Sequence, residues 1–115
     1  MSKEIVFLGD AKENLRAFPE ETRISMGHAL REAQEGGKAL YAKPLKGIGG
    51  GATVIEICDD HYGNTYRVMY TVKIGSKLYV LHAFQKKSKT GIETPKTEIE
   101  IIKARLRKAR ELAGM

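Results

Sequence analysis

From Thr65 to Lys87 the chain reads TYRVMYTVKIGSKLYVLHAFQKK, with β-branched and aromatic residues at strand spacing and Gly75-Ser76 where a tight hairpin turn would fall. Strand side chains alternate between faces. Tyr66, Val68, Tyr70 and Val72 therefore share one face, and Arg67, Met69 and Thr71 the other. After the turn, Tyr79, Leu81 and Ala83 share a face, and Val80, His82, Phe84 and Lys86 the opposite one. Both strands are mostly apolar. Arg67, His82, Lys86 and Lys87 are the groups that a hydrocarbon core would not select.

The rest of the pattern supplies the other elements. Residues 4–8 (EIVFL) predict a first strand, broken at Gly9-Asp10, with Asp10 able to cap a helix to about Ala17. Pro19-Glu20-Glu21 opens a second helix, since proline suits a first turn and acids its positive end. Thr22, Met26, Ala29, Leu30 and Ala33 form its apolar stripe, and Gly36-Gly37 ends it. Residues 38–51 read as an irregular basic loop rich in glycine. Its G-x-G-x-x-A match, Gly47 to Ala52, precedes a strand, whereas a dinucleotide fingerprint follows one. Thr53–Cys58 predicts a strand ending at Asp59-Asp60, with a turn through Gly63-Asn64. Lys86–Thr94 is a polar loop. Thr94 is the expected N-cap and Pro95 the first position of a last helix, whose buried stripe is Ile99, Ile102, Leu106 and Ala109. The order β-α-α-β-β-β-α predicts an α+β domain spanning 1–115, with a small antiparallel sheet that the N-terminal strand joins.

Composition narrows the function classes. The chain is 42% hydrophobic and 30% charged, which argues against disorder. No apolar run approaches the roughly 20 residues that span a bilayer, and no signal peptide is evident. The single cysteine, Cys58, excludes an internal disulfide, and a cytoplasmic location is expected. Net charge is +6, concentrated late: residues 86–115 carry 9 basic and 4 acidic side chains, against 5 and 7 in residues 1–35. A basic C-terminal half suggests a polyanionic partner, or simply a solvated basic helix.

His28, His61 and His82 have no metal-ligand spacing, and the serines lie outside any nucleophile elbow. No metal or other cofactor is expected. The remaining chemistry is cationic: Lys43 and Lys46 before the glycines, Arg67 within the sheet, and Lys86, Lys87 and Lys89 at and beyond the end of the last strand. If hairpin parity puts Arg67, His82 and Lys86 on one face, the cluster could hold a phosphodiester and stabilise its pentacoordinate transition state. RNA carries its own nucleophile, the 2′-OH, so alignment and proton transfer would suffice. His82 could move protons near neutrality. The competing reading pairs Arg67 with Glu56 as a structural ion pair and leaves His82 as a hydrogen-bonded core group.

Three segments carry a family likeness: Lys43-Pro44-Leu45-Lys46-Gly47 with its glycines, Tyr66-Arg67-Val68-Met69-Tyr70, and Leu81 to Lys89 followed by Thr94-Pro95. In order and over nearly the full length, the chain resembles the RelE/HigB-type toxins of type II toxin–antitoxin systems, most closely the phage-derived HigB-like branch. The resemblance implies a RelE-like sheet flanked by helices, mRNA cleavage by 2′-OH attack, commonly on the ribosome, and a helix-turn-helix antitoxin as partner. It implies that Arg67 contacts the scissile phosphate, that Lys43, Lys46 and Lys89 grip RNA, and that Lys86 and Lys87 balance transition-state charge. His82 is a candidate from its own strand position. Many such toxins carry a tyrosine after the last basic strand position. Here Ser88-Lys89-Thr90-Gly91 follows, which leaves the general base open. Two other readings fit the fold: a non-enzymatic inhibitor of DNA gyrase like the ParE toxins, and an RNA- or ribosome-binding module that does not cleave.

Overall fold

The computed structural model describes residues 2–45, 48, 54–86 and 94–115. The elements are β1 (Ile5–Phe7), α1 (Ala11–Arg16), α2 (Glu20–Gln34), β2 (Ala42–Pro44), β3 (Ile55–His61), β4 (Asn64–Thr71), β5 (Leu78–Lys86) and α3 (Lys96–Leu112). This is the expected α+β order with one addition, the short strand β2 inside the basic loop. The sheet has five strands in the order β1-β5-β4-β3-β2; β1 runs parallel to β5 and the other neighbours are antiparallel.

Helices cover both faces, which is why the central strands are apolar at nearly every position. On one face Met26, Ala29, Leu30 and Ala33 of α2 pack with Ile55, Ile57, Val68, Tyr70, Leu78 and Val80. On the other, Ile102, Leu106 and Ala109 of α3 pack with Met69, Tyr79 and Leu81.

Several details depart from expectation, each for a local reason. A register shift lies between Met69 and Tyr70: Met69 faces His82, but Tyr70 faces Val80. Leu81 is the extra residue, so strict alternation fails there. Val80 packs on the α2 side, while Leu81 and His82 both meet α3. The β4–β5 connection is not a two-residue turn at Gly75-Ser76. It spans 72–77, because Ile74 is drawn fully into the α3-side core; Gly75 has φ +58°. Asp59-Asp60 continues β3, and the tight turn is Tyr62-Gly63 between the paired residues His61 and Asn64. Thr94 and Asp10 make no side-chain cap. Pro95 occupies the N-cap of α3, and the freed Thr94 and Asp10 side chains are used in the site below.

The β2 edge is closed to further strands. Leu45 N–H bonds Val54, so Ala42 and Pro44 turn their backbone outward. Ala42 N–H is taken by the Ala39 carbonyl, its carbonyl accepts from Lys38 Nζ, and Pro44 has no N–H.

Tyr62 sits at φ +50° beside Gly63 at φ +81°, both in the left-handed region that a two-residue turn of this hand requires. Asparagine tolerates that region and a bulky side chain does not. Tyr62→Asn should therefore raise stability by about 1 kcal/mol in chemical denaturation.

Candidate cationic site on the α3 face

The register assembles three rows across the face that α3 partly covers. Lys43 lies opposite Glu56, Glu56 opposite Met69, and Met69 opposite His82. The next row is Cys58, Arg67 and Phe84; the last is Asp60, Thr65 and Lys86. Arg67, His82 and Lys86 thus share a face, one residue pair or about 7 Å apart along the strands. Lys43 joins them from β2. Lys46, Lys87 and Lys89 lie outside the described residues.

Arg67 is nearly buried, at 6% exposure, and its Nη1 donates to Glu56 Oε2 at 2.8 Å and to Thr94 Oγ1 at 3.1 Å. Glu56 is also buried, and Lys43 Nζ approaches its other oxygen, Oε1, at 4.0 Å from an exposed position. Arg67 and Glu56 thus form the structural ion pair, on the same face as Lys43 and Lys86. Two cations converge on one carboxylate at the foot of α3. Lys86 is likewise buried, one row from Arg67.

His82 belongs to a second network. Arg105 Nη1 donates to His82 Nδ1 and to the Leu81 carbonyl, both at 3.1 Å, and Nη2 donates to Asp10 Oδ1 at 2.7 Å. Arginine can only donate, so Nδ1 is the accepting nitrogen and the ring proton sits on Nε2, directed at Glu98. Both ring nitrogens are engaged, and Phe84 stacks on the ring at 5.1 Å. Proton transfer by His82 would require it to leave Glu98 or Arg105. Arg105 reaches Asp10 across Gly9, where an added Cβ would come within 2.5 Å of the guanidinium carbon; glycine at φ +54° leaves the path open. The same guanidinium holds the Asp10 carboxyl below its ordinary pKa.

Glu98 and Arg105 were not legible as partners of the sheet. They lie seven residues apart, two helical turns, on one flank of the buried stripe, a spacing that many solvated pairs share. Glu56 carried a stronger signal, an acid in the apolar run Val54 to Cys58 at the parity of Arg67. Among the described residues no group of three or more His, Cys, Asp and Glu could hold a metal ion. A shallow apolar pocket lined by Ile55, Tyr70 and Val72 opens on the opposite, α2-side face.

Residues 13–107 match the family described as phage derived protein Gp49-like (DUF891). The chain belongs to this family. The Gp49-like proteins are a RelE/HigB-like family of toxin type, and such a family implies an antitoxin partner. None of the curated proteins matches the chain. No described helix of this Gp49-like chain is long and apolar enough to cross a membrane.

Two outcomes follow from the site. Removing one member of a buried ion pair strands the other, so Arg67→Ala should cost about 3–5 kcal/mol in denaturant unfolding, and the paired change Arg67→Met with Glu56→Leu should recover most of the loss. Burial, and then the Glu56 charge, push the Cys58 thiol from 9.0 up to about 11. Its alkylation rate should therefore rise with a midpoint near pH 11, and not near 9. Because the folded state keeps this proton longer than the unfolded one, the contribution to stability is full below pH 9 and fades as pH rises toward 11.

Proposed function

We propose that this Gp49-like chain is the toxin of a toxin–antitoxin pair, acting in the cytoplasm on messenger RNA, in the setting of the ribosome. In this reading it cleaves by attack of the RNA 2′-OH on the adjacent phosphate. The supporting observation is the register that brings Lys43, Arg67 and Lys86, from three strands, to one face, with Lys43 and Arg67 meeting at the Glu56 carboxylate. A phosphodiester is an alternative acceptor for a guanidinium now held by a carboxylate and a hydroxyl. Arg67 would bind the scissile phosphate, with Lys86 and Lys87 balancing the added charge of the transition state and Lys43, Lys46 and Lys89 holding the flanking backbone. The general base left open by the sequence falls to Glu56. Its oxygens lie beside the arginine that would seat the phosphate, while the nitrogens of His82 are committed to Glu98 and Arg105. His82 then fixes the C-terminal helix over the face that binds RNA.

One observation favours a second reading. Arg67 is almost inaccessible in its ion pair, as it would be in an inhibitor that binds its target, such as DNA gyrase, without cleaving anything.

Mapping of mRNA 5′ ends after induced expression separates the two. The nuclease reading predicts new ends bearing 5′-hydroxyls, partner fragments ending in 2′,3′-cyclic or 3′-phosphate, and cleavage that persists in EDTA. Arg67→Lys keeps the charge and loses the planar fork. It should stay folded and cut at least ~10-fold more slowly, given one lost charge-assisted bond. Growth arrest with no new ends would favour the inhibitor.

A further inference from the structure

The α2 side of the sheet holds a pocket that the cationic site does not use. Its volume is about 160 Å³, and it lies where the chain leaving α2 passes the start of β3 and the end of β4. Ile55, Tyr70 and Val72 supply its apolar lining, and Gly37, Lys38 and Lys73 complete it. A hydrocarbon cavity of about 150 Å³ stays dry and holds benzene, so a six-carbon ring or branched chain matches this space.

Tyr70 is the exception in that lining. Only 1% of it is exposed, yet its hydroxyl has no hydrogen-bond partner among the described residues. A buried phenol normally finds one, because leaving water without a partner is costly. Burial, and then the Glu32 charge, raise the phenol above its ordinary pKa of 10.0, so the group keeps its proton and is a donor. Two ammonium groups stand at the same pocket. Lys38 Nζ donates to the Ala42 carbonyl at 3.0 Å, which fixes it and leaves two donors to spare. Lys73 follows β4, its backbone N–H bonded to Thr71 Oγ1. Neither lysine has an acidic partner among the described residues. The acid nearby is Glu32, whose side chain lies against Gly37. Two cations against one carboxylate leave room for a single further negative charge.

We propose that this pocket binds a small apolar monocarboxylate. Its hydrocarbon body packs on Ile55, Tyr70 and Val72, and its carboxylate accepts from the Tyr70 hydroxyl and from Lys38 or Lys73. The division of labour is that of a small-molecule site, apolar walls for contact and a few polar groups for orientation. Charge and the phenol donor set the class. A cation would face both ammonium groups, and a plain hydrocarbon would leave the hydroxyl unpaired. The site lies on the opposite face from Arg67 and Glu56, and the proposal stands independently of the toxin reading.

The test is a titration of the full-length chain with benzoate, benzylamine and benzene, read by the amide chemical shifts of Ile55, Tyr70 and Val72. Benzoate should bind with a Kd of about 1 mM or tighter, the range open to so small a ligand, and benzylamine at least ~10-fold more weakly. Tyr70→Phe should leave the denaturation midpoint unchanged or raised, since the hydroxyl has no partner to lose, and should weaken benzoate at least ~10-fold. Lys73→Gln should weaken it ~3-fold. Benzene bound as well as benzoate, or benzoate bound as well by the Tyr70→Phe variant, reduces the pocket to an apolar void and overturns the proposal. Tighter binding of benzylamine gives the recognition to Glu32 and overturns it. A Tyr70→Phe variant that unfolds more easily shows a structural partner for the hydroxyl, and the absence of any shift at roughly ten times that Kd shows no site; either overturns the proposal.

Discussion

A sheet covered on both faces has to satisfy every charge it carries without water. That constraint organises the α3 side of this molecule. Glu56, Arg67 and His82 are all buried there, and each has its counter-group within hydrogen-bonding reach. The partners come from three places: Glu56 from the neighbouring strand, Thr94 from the lead-in to α3, and Glu98 and Arg105 from α3 itself. The last helix is thus held by more than its apolar stripe of Ile102, Leu106 and Ala109. Polar bonds tie its N-terminal end to β4 and its middle to β5 and to the loop before α1.

The same arrangement decides how accessible the cationic face is. Arg67 and Glu56 neutralise one another, and Thr94 contacts both, at 3.1 and 3.5 Å. A phosphate approaching Arg67 competes with a carboxylate already in place and with the start of α3. The energetic cost of separating such a pair is high unless a new anion replaces the old one. In the proposed function an RNA backbone would supply that anion as the carboxylate is released, so phosphate binding and freeing of Glu56 would be coupled by electrostatics. Lys43, exposed and within 4.0 Å of Glu56, offers the displaced carboxylate a charge to remain beside.

Much of the architecture was legible in the chain. The apolar runs gave the strands, the Met26–Ala29–Leu30–Ala33 stripe gave the second helix, and simple parity put Arg67 and Lys86 on one side of the sheet. Pairing of Arg67 with Glu56 was also readable, since an acid inside an apolar strand at matching parity needs a partner. What escaped were features that depend on contacts remote in sequence. The Leu81 bulge follows from fitting β5 against both β4 and α3, and no local signal marks it. Asp10 and Thr94 have the side chains of helix caps, and local reasoning assigns them to capping. In the folded chain Arg105 and Arg67 claim them instead, because a charge-assisted bond to a guanidinium outweighs a cap to a backbone N–H. Strand β2 lies in a stretch dominated by glycine and lysine, where propensity argues against any strand, and it exists because β3 offers an unpaired side.

The extra residue in β5 also has a bearing on how this fold can vary. Before it, the strand feeds Leu78 and Val80 to the α2 layer; after it, His82 and Phe84 serve the α3 layer while Leu81 keeps its apolar contact there. Were β5 regular at the same length, every side chain after Leu81 would exchange layers. The imidazole would be thrust among Val68 and Met26 with nothing to donate to, and Ala83 would leave a void beneath the helix. A relative one residue shorter at Leu81 should therefore keep the same layers with a plain strand, whereas a one-residue insertion or deletion elsewhere in the middle of the fifth strand should be purged.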